Sequence, residues 1–103
     1  MANSEQLILE LLDGHTIDNK ISRKALVDLT HFTERYVRST IEELRKKGYR
    51  IASNNDGYYL CSNDKEFKDF LRLYLADAIT RFETAKAMQG QLEGQIEWEM
   101  KKS

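Results

Sequence analysis

The stretch that decides the fold is residues 22–60, SRKALVDLTHFTERYVRSTIEELRKKGYRIASNNDGYYL. Thr33 is an N-cap residue type, because its hydroxyl can accept from N–H groups that a first helical turn leaves open. A helix is therefore predicted over residues 34–47, with Val37, Ile41 and Leu44 at steps of four and three on one face. Gly48 ends it. Arg45, Lys46 and Lys47 in the last turn complement the open carbonyls and the negative end of the dipole. Upstream, Ser22 caps a shorter predicted helix over residues 23–29, with Ala25, Leu26 and Leu29 facing inward. Only Thr30, His31 and Phe32 separate the two. Histidine is enriched at positive φ, so His31 reads as a strained turn residue. After Gly48 the apolar period changes. Tyr49-Arg50-Ile51 and Tyr58-Tyr59-Leu60-Cys61 read as strands, and Asn54-Asn55-Asp56-Gly57 as the turn of a hairpin.

Working outward, residues 4–12 set Leu7, Ile8, Leu11 and Leu12 on one helical face, with Ser4 as the predicted cap and Gly14 as the stop. Residues 15–20 read as a polar loop, and Ile21 as a short strand pairing. Beyond the hairpin, Asn63 and Glu66 form a capping pattern. A long helix follows, with Phe67, Leu71, Tyr74, Ala78, Phe82 and Ala85 on a 3.6-residue period, widened by Phe70, Leu75 and Ile79. The fold class expected is α+β and mostly helical. Residues 1–61 form the expected domain and residues 62–103 a C-terminal helical extension.

The formal net charge is −1, but its distribution is uneven. Residues 1–19 carry four acids and no base, whereas residues 20–50 carry nine Lys or Arg against four acids. Positive charge is thus concentrated in one central block, which can serve as an electrostatic footprint inside an acidic average. A chance cluster on a solvated helix surface is the competing reading. No apolar run reaches the roughly 18 to 20 residues that span a bilayer, so no membrane partner is expected. The start, Met1-Ala2-Asn3-Ser4-Glu5, has no basic region ahead of an apolar stretch and reads as carrying no signal peptide. The single cysteine, Cys61, cannot form an internal disulfide, and a reducing cytoplasm is the expected location.

Helix, short helix, tight turn, helix and hairpin is the order of a winged helix-turn-helix, with the long final helix as an addition. In such a unit the second helix of the turn presents its exposed face to the DNA major groove, which is wide enough to admit it. Val37, Ile41 and Leu44 would hold that helix on the core. Glu34, Arg35, Arg38 and Ser39 lie near its start on the outward face, where an arginine can reach guanine O6 and N7 or pair with a phosphate. Glu42 and Glu43 repel phosphates, so only the first two turns are expected to approach DNA. Thr33 is a cap that can also touch a phosphate. Ser22 and Arg23 open the preceding helix, whose N–H groups and dipole favour a phosphate, with a plain cap as the alternative. Arg50 at the hairpin base is placed to reach the DNA backbone. The hairpin tip has no Lys or Arg and is expected to contribute weakly.

LLDG at residues 11–14, SRKALVDL at 22–29, TERYVRSTIEELRKKGYRI at 33–51 and GYYL at 57–60 resemble the N-terminal winged helix of the biotin operon repressor family. The resemblance covers about half of the chain. The biotin-ligase catalytic domain of that family has no counterpart among these 103 residues, so its enzymatic role is not expected here. The pattern is more similar to small winged-helix proteins encoded by phages and prophages of Gram-positive bacteria, in which an acid-rich cap and a long helix follow GYYL. That resemblance implies a regulatory or replication-associated role in binding double-stranded DNA. His31 in place of the usual glycine and the base-free wing tip depart from it.

The long helix has more apolar surface than so small a domain can cover. Phe82, Leu92, Ile96 and Trp98 are the residues expected to form a homodimer, the commonest closed assembly and one suited to two half-sites. A helix folded back on its own domain is the alternative. No phosphate loop, nucleophile elbow or spaced metal ligands are found, so no catalytic residue, no cofactor and no metal site is expected. Winged helices also bind proteins, and a protein-interaction module without DNA binding is the competing functional class.

Overall fold

The computed structural model describes the backbone of residues 3–102 and the side chains of residues 3–91. It divides into two compact units, Met1–Phe70 and Leu71–Ser103. Among the described residues the order is α1 (Ser4–Leu12), α2 (Arg23–Thr30), α3 (Glu34–Lys46), β1 (Ile51–Asn54), β2 (Gly57–Leu60) and α4 (Asp64–Lys102). The class is α+β, with a two-stranded antiparallel sheet. No described helix is long and apolar enough to cross a membrane.

In the first unit the capping chemistry sets the helix starts. Ser22 Oγ accepts from the Ala25 N–H at 3.0 Å, and Thr33 Oγ1 from the Tyr36 N–H at 3.1 Å. At α1 the cap is Asn3 and not Ser4: Asn3 Oδ1 accepts from the Gln6 N–H at 2.8 Å. Ser4 is then free to meet the Tyr36 hydroxyl at 2.6 Å and tie the start of α1 to α3. Between α2 and α3 the backbone reverses at His31, whose φ is +62°.

Ile8, Leu12, Leu26, Val37, Ile41, Leu44 and Ile51 are fully buried, and Ile21 and Tyr58 complete the core. Burying each such side chain stabilises the fold by about 1.5–3 kcal/mol. One expected inward residue is not part of it. Leu29 is 59% exposed, and Thr30 takes the buried place on that helix. Its hydroxyl donates to the Leu26 carbonyl at 2.6 Å and accepts from the Phe32 N–H at 3.1 Å, so burial leaves it satisfied.

The hairpin pairs Ile51 with Leu60 and Asn54 with Gly57, leaving Asn55 and Asp56 as a two-residue connection. Asn54 Oδ1 accepts from the Asp56 N–H at 2.8 Å and holds that turn closed. Ile21 pairs with Tyr58 in both directions, at 3.0 and 2.8 Å, an isolated bridge beside β2 that makes the expected short strand pairing. The α3 residue Arg45 secures the hairpin from the other side, donating to the Ile51 carbonyl at 2.8 Å and Ser53 Oγ at 3.1 Å. The first turns of α4 belong to this unit. Asn63 Oδ1 accepts from the Glu66 N–H at 2.9 Å, and the Phe70 ring lies 5.2 Å from the Arg45 guanidinium.

The second unit is helical, and every described side chain from Leu71 to Gln91 is exposed. Phe82, one of the residues expected at a dimer interface, is 64% exposed. Leu92, Ile96 and Trp98 lie outside the residues whose side chains are described.

Candidate functional site

The fold sorts the central basic block into engaged and unengaged cations. Arg23 pairs with Glu34, Lys46 with Glu43 at 3.3 Å, and Lys47 with Glu5 at 2.6 Å. Arg45 is committed to the hairpin backbone. Arg50 pairs with Asp64, and its guanidinium lies 4.7 Å from the centroid of the Phe67 ring. Lys20 lies at 6.0 Å over the Tyr59 ring. Lys24, Arg35 and Arg38 remain: all three are exposed, and none makes a hydrogen bond or ion pair with a described residue.

Arg35 and Arg38 project from the first two turns of α3. The opposite face of that helix buries Val37, Thr40, Ile41 and Leu44, so its backbone is fixed on the core while the two guanidinium groups stay in water. Ser39 is exposed on the same outer surface. Leaving two arginines without partners retains their full charge and rotamer freedom for an external ligand. An unpaired, hydrated guanidinium adds little to stability, as exposed charges generally do.

Glu34 is held differently. Its carboxylate accepts from Arg23 Nη1, joining the first turn of α2 to the first turn of α3. That bond, and next the Tyr58 hydroxyl, hold the Arg23 guanidinium still more firmly in its charged form. The pairing neutralises the one acid among the expected groove-facing residues. It also brings the capped starts of α2 and α3 together. A cleft of about 260 Å3 lined by Arg23, Lys24, Val27 and Glu34 lies there. A smaller one of about 110 Å3 lies between Ser22, Arg23 and the hairpin tip at Asn54, Asp56 and Gly57.

The structure thus brings Ser22, Arg23, Thr33 and Glu34 together at the two helix starts, with Arg35, Arg38 and Ser39 on the adjoining face. Arg50 does not join them: its ion pair and ring contact hold it to the start of α4. Lys24 joins this set without being singled out by the sequence: it is a base in the first turn of a capped helix, but which bases stay unpaired depends on tertiary contacts.

Cys61 is half-buried, and burial pushes its thiol up, with Glu66 adding to the effect. It is held as a neutral thiol, which is a poor nucleophile. The Tyr59 hydroxyl is pushed up in the same way by its burial. Comparison with protein-family models, curated proteins and solved structures finds no match to this chain.

Proposed function

We propose that the unit Met1–Phe70 is a winged helix-turn-helix that binds double-stranded DNA, with α3 laid in the major groove. The observation that carries this reading is the pair Arg35 and Arg38, exposed and without a partner among the described residues, on the outer face of a helix anchored by its inner one. Arg35 and Arg38 donate to base edges or phosphates, Ser39 adds a short hydroxyl contact, and Lys24 with the α2 start takes a neighbouring phosphate. Thr33 and Ser22 serve first as caps, with their adjoining N–H groups turned to the backbone of the duplex. Arg23 and Glu34 act as a positioning pair, and Arg50 holds α4. The resemblance to phage and prophage winged-helix proteins makes a regulatory or replication-associated role the one proposed for that binding.

The second reading, a protein-interaction module, is favoured by the hairpin tip, which offers Asp56 and no base. Salt separates the two. Counterion release makes log K fall with log salt at a slope of about −0.9 per phosphate contact. With Lys24, Arg35 and Arg38 all on phosphates the slope is about −2.7 per protomer, or roughly 40-fold weaker binding between 50 and 200 mM salt, and each arginine on a base edge instead reduces its magnitude by about 0.9. Fluorescence anisotropy with a mixed-sequence duplex measures it. Absence of binding at 50 mM salt contradicts DNA binding and favours the protein-interaction reading.

A further inference from the structure

We propose that α4 pairs with the same helix of a second copy as an antiparallel two-stranded coiled coil, with the two-fold axis between residues 83 and 84. Leu71, Leu75, Ala78, Phe82, Ala85 and Gln89 recur at alternating steps of four and three. That is the 3.5-residue repeat of a coiled-coil seam. By sequence the repeat continues at 92 and 96 with Leu and Ile and meets its first charge at Glu99. Every described member of the seam is exposed, and its large apolar members Leu71, Leu75 and Phe82 are 37%, 51% and 64% exposed. A stripe of this length, apolar at every described position but Gln89, calls for a partner.

The sequence of the seam selects a second copy and its direction. In a parallel pair each residue meets itself. Phe82 would then crowd against the partner's Phe82, while Ala78 and Ala85 would each face an alanine and leave a gap. Arg81 would flank that seam beside the partner's Lys86, a like-charge contact. In the antiparallel register centred between 83 and 84, Phe82 fills the space beside the partner's Ala85, and Gln89 that beside the partner's Ala78. Alternating large and small residues across a seam is what close packing requires. Leu75 and Leu71 then oppose the apolar positions 92 and 96 of the partner. Arg81 falls beside the partner's Met88, and Lys86 beside the partner's Ile79, so no like charges meet. Lys86 already lies over the Phe82 ring with Nζ at 5.6 Å from its centroid, a placement that lets its stem cover the edge of the seam. One surface that complements itself through a two-fold axis closes at two copies.

This inference does not depend on DNA binding, and its test contains no DNA. The full chain should run in sedimentation equilibrium at twice its 12.1 kDa mass, and Phe82→Glu should halve that while leaving the circular dichroism of the first unit's fold intact. Direction is read in a Cys61→Ser background. Phe82→Cys mixed with Ala85→Cys should form a disulfide-linked pair on mild oxidation, at least tenfold more than either variant alone. A monomer at several hundred micromolar overturns the proposal. So does self-linking of Phe82→Cys at the level of the mixture, which marks a parallel pair. A dimer with no link in any arm overturns the register.

Discussion

Arg35→Ala/Arg38→Ala binds duplex DNA roughly 30-fold or more weakly than the native chain, at unchanged fold stability. Each arginine contact to a base edge or phosphate contributes about 1–3 kcal/mol, so losing both costs about 2–6 kcal/mol of binding. The stability side is equally specific. Neither side chain has a hydrogen bond or ion pair to a described residue, and both are exposed, so unfolding free energy should move by less than about 0.5 kcal/mol. Anisotropy titration and urea denaturation of the same preparations measure both. A variant that unfolds early would mean that the arginines support the fold. A stable variant with native affinity would remove α3 from the interface.

Gly57→Ala is expected to be among the most damaging single-methyl changes in the chain. At Gly57 φ is +149°, and an added Cβ would lie 2.3 Å from the Ile21 carbonyl oxygen and 2.7 Å from its carbon. Both are backbone atoms and cannot swing aside. The neighbouring Ile21–Tyr58 pairing, with its two hydrogen bonds, has to open to admit the methyl. Strain at a glycine-only conformation costs about 1–3 kcal/mol, and each lost hydrogen bond about 0.5–1.5 kcal/mol. A total of about 3 kcal/mol lowers Tm by roughly 12–24 °C in a domain of this size. Gly90→Ala is the contrast. It is helical with open space where the Cβ would go, and the same methyl should stabilise the helix by about 0.5–1 kcal/mol. Thermal unfolding of both variants checks the pair. A Gly57→Ala protein that melts like the native chain would show that the Ile21–Tyr58 pairing does not hold the hairpin.

Much of this architecture can be read from residue types alone, because local chemistry determines it. Ser22 and Thr33 cap because their hydroxyls reach N–H groups three residues on, and Val37, Ile41 and Leu44 are buried because steps of four and three put them on one helical face. The hairpin turn and the Ile21 pairing are legible for the same reason. What stays hidden are choices between neighbours that only tertiary contacts decide. Asn3 and Ser4 are both capping residue types, and the Tyr36 hydroxyl draws Ser4 away. Leu29 is more apolar than Thr30, yet Thr30 lies a turn beyond Leu26 on the inward face and satisfies its hydroxyl there. At the site the sequence locates the basic block but not its internal pairing. Arg50 looks as available as Arg35 until Asp64 and Phe67 are folded against it. Lys24 looks incidental until its neighbours are seen to be paired.

The most direct test of the central claim is selection of bound sequences from a random duplex pool at moderate salt, run in parallel with the native chain and with Arg35→Ala/Arg38→Ala. The account predicts that the native chain enriches a defined motif and that the double variant enriches none, because the two free guanidinium groups on α3 supply the base contacts. Equal enrichment by both, or no enrichment by the native chain, would contradict it.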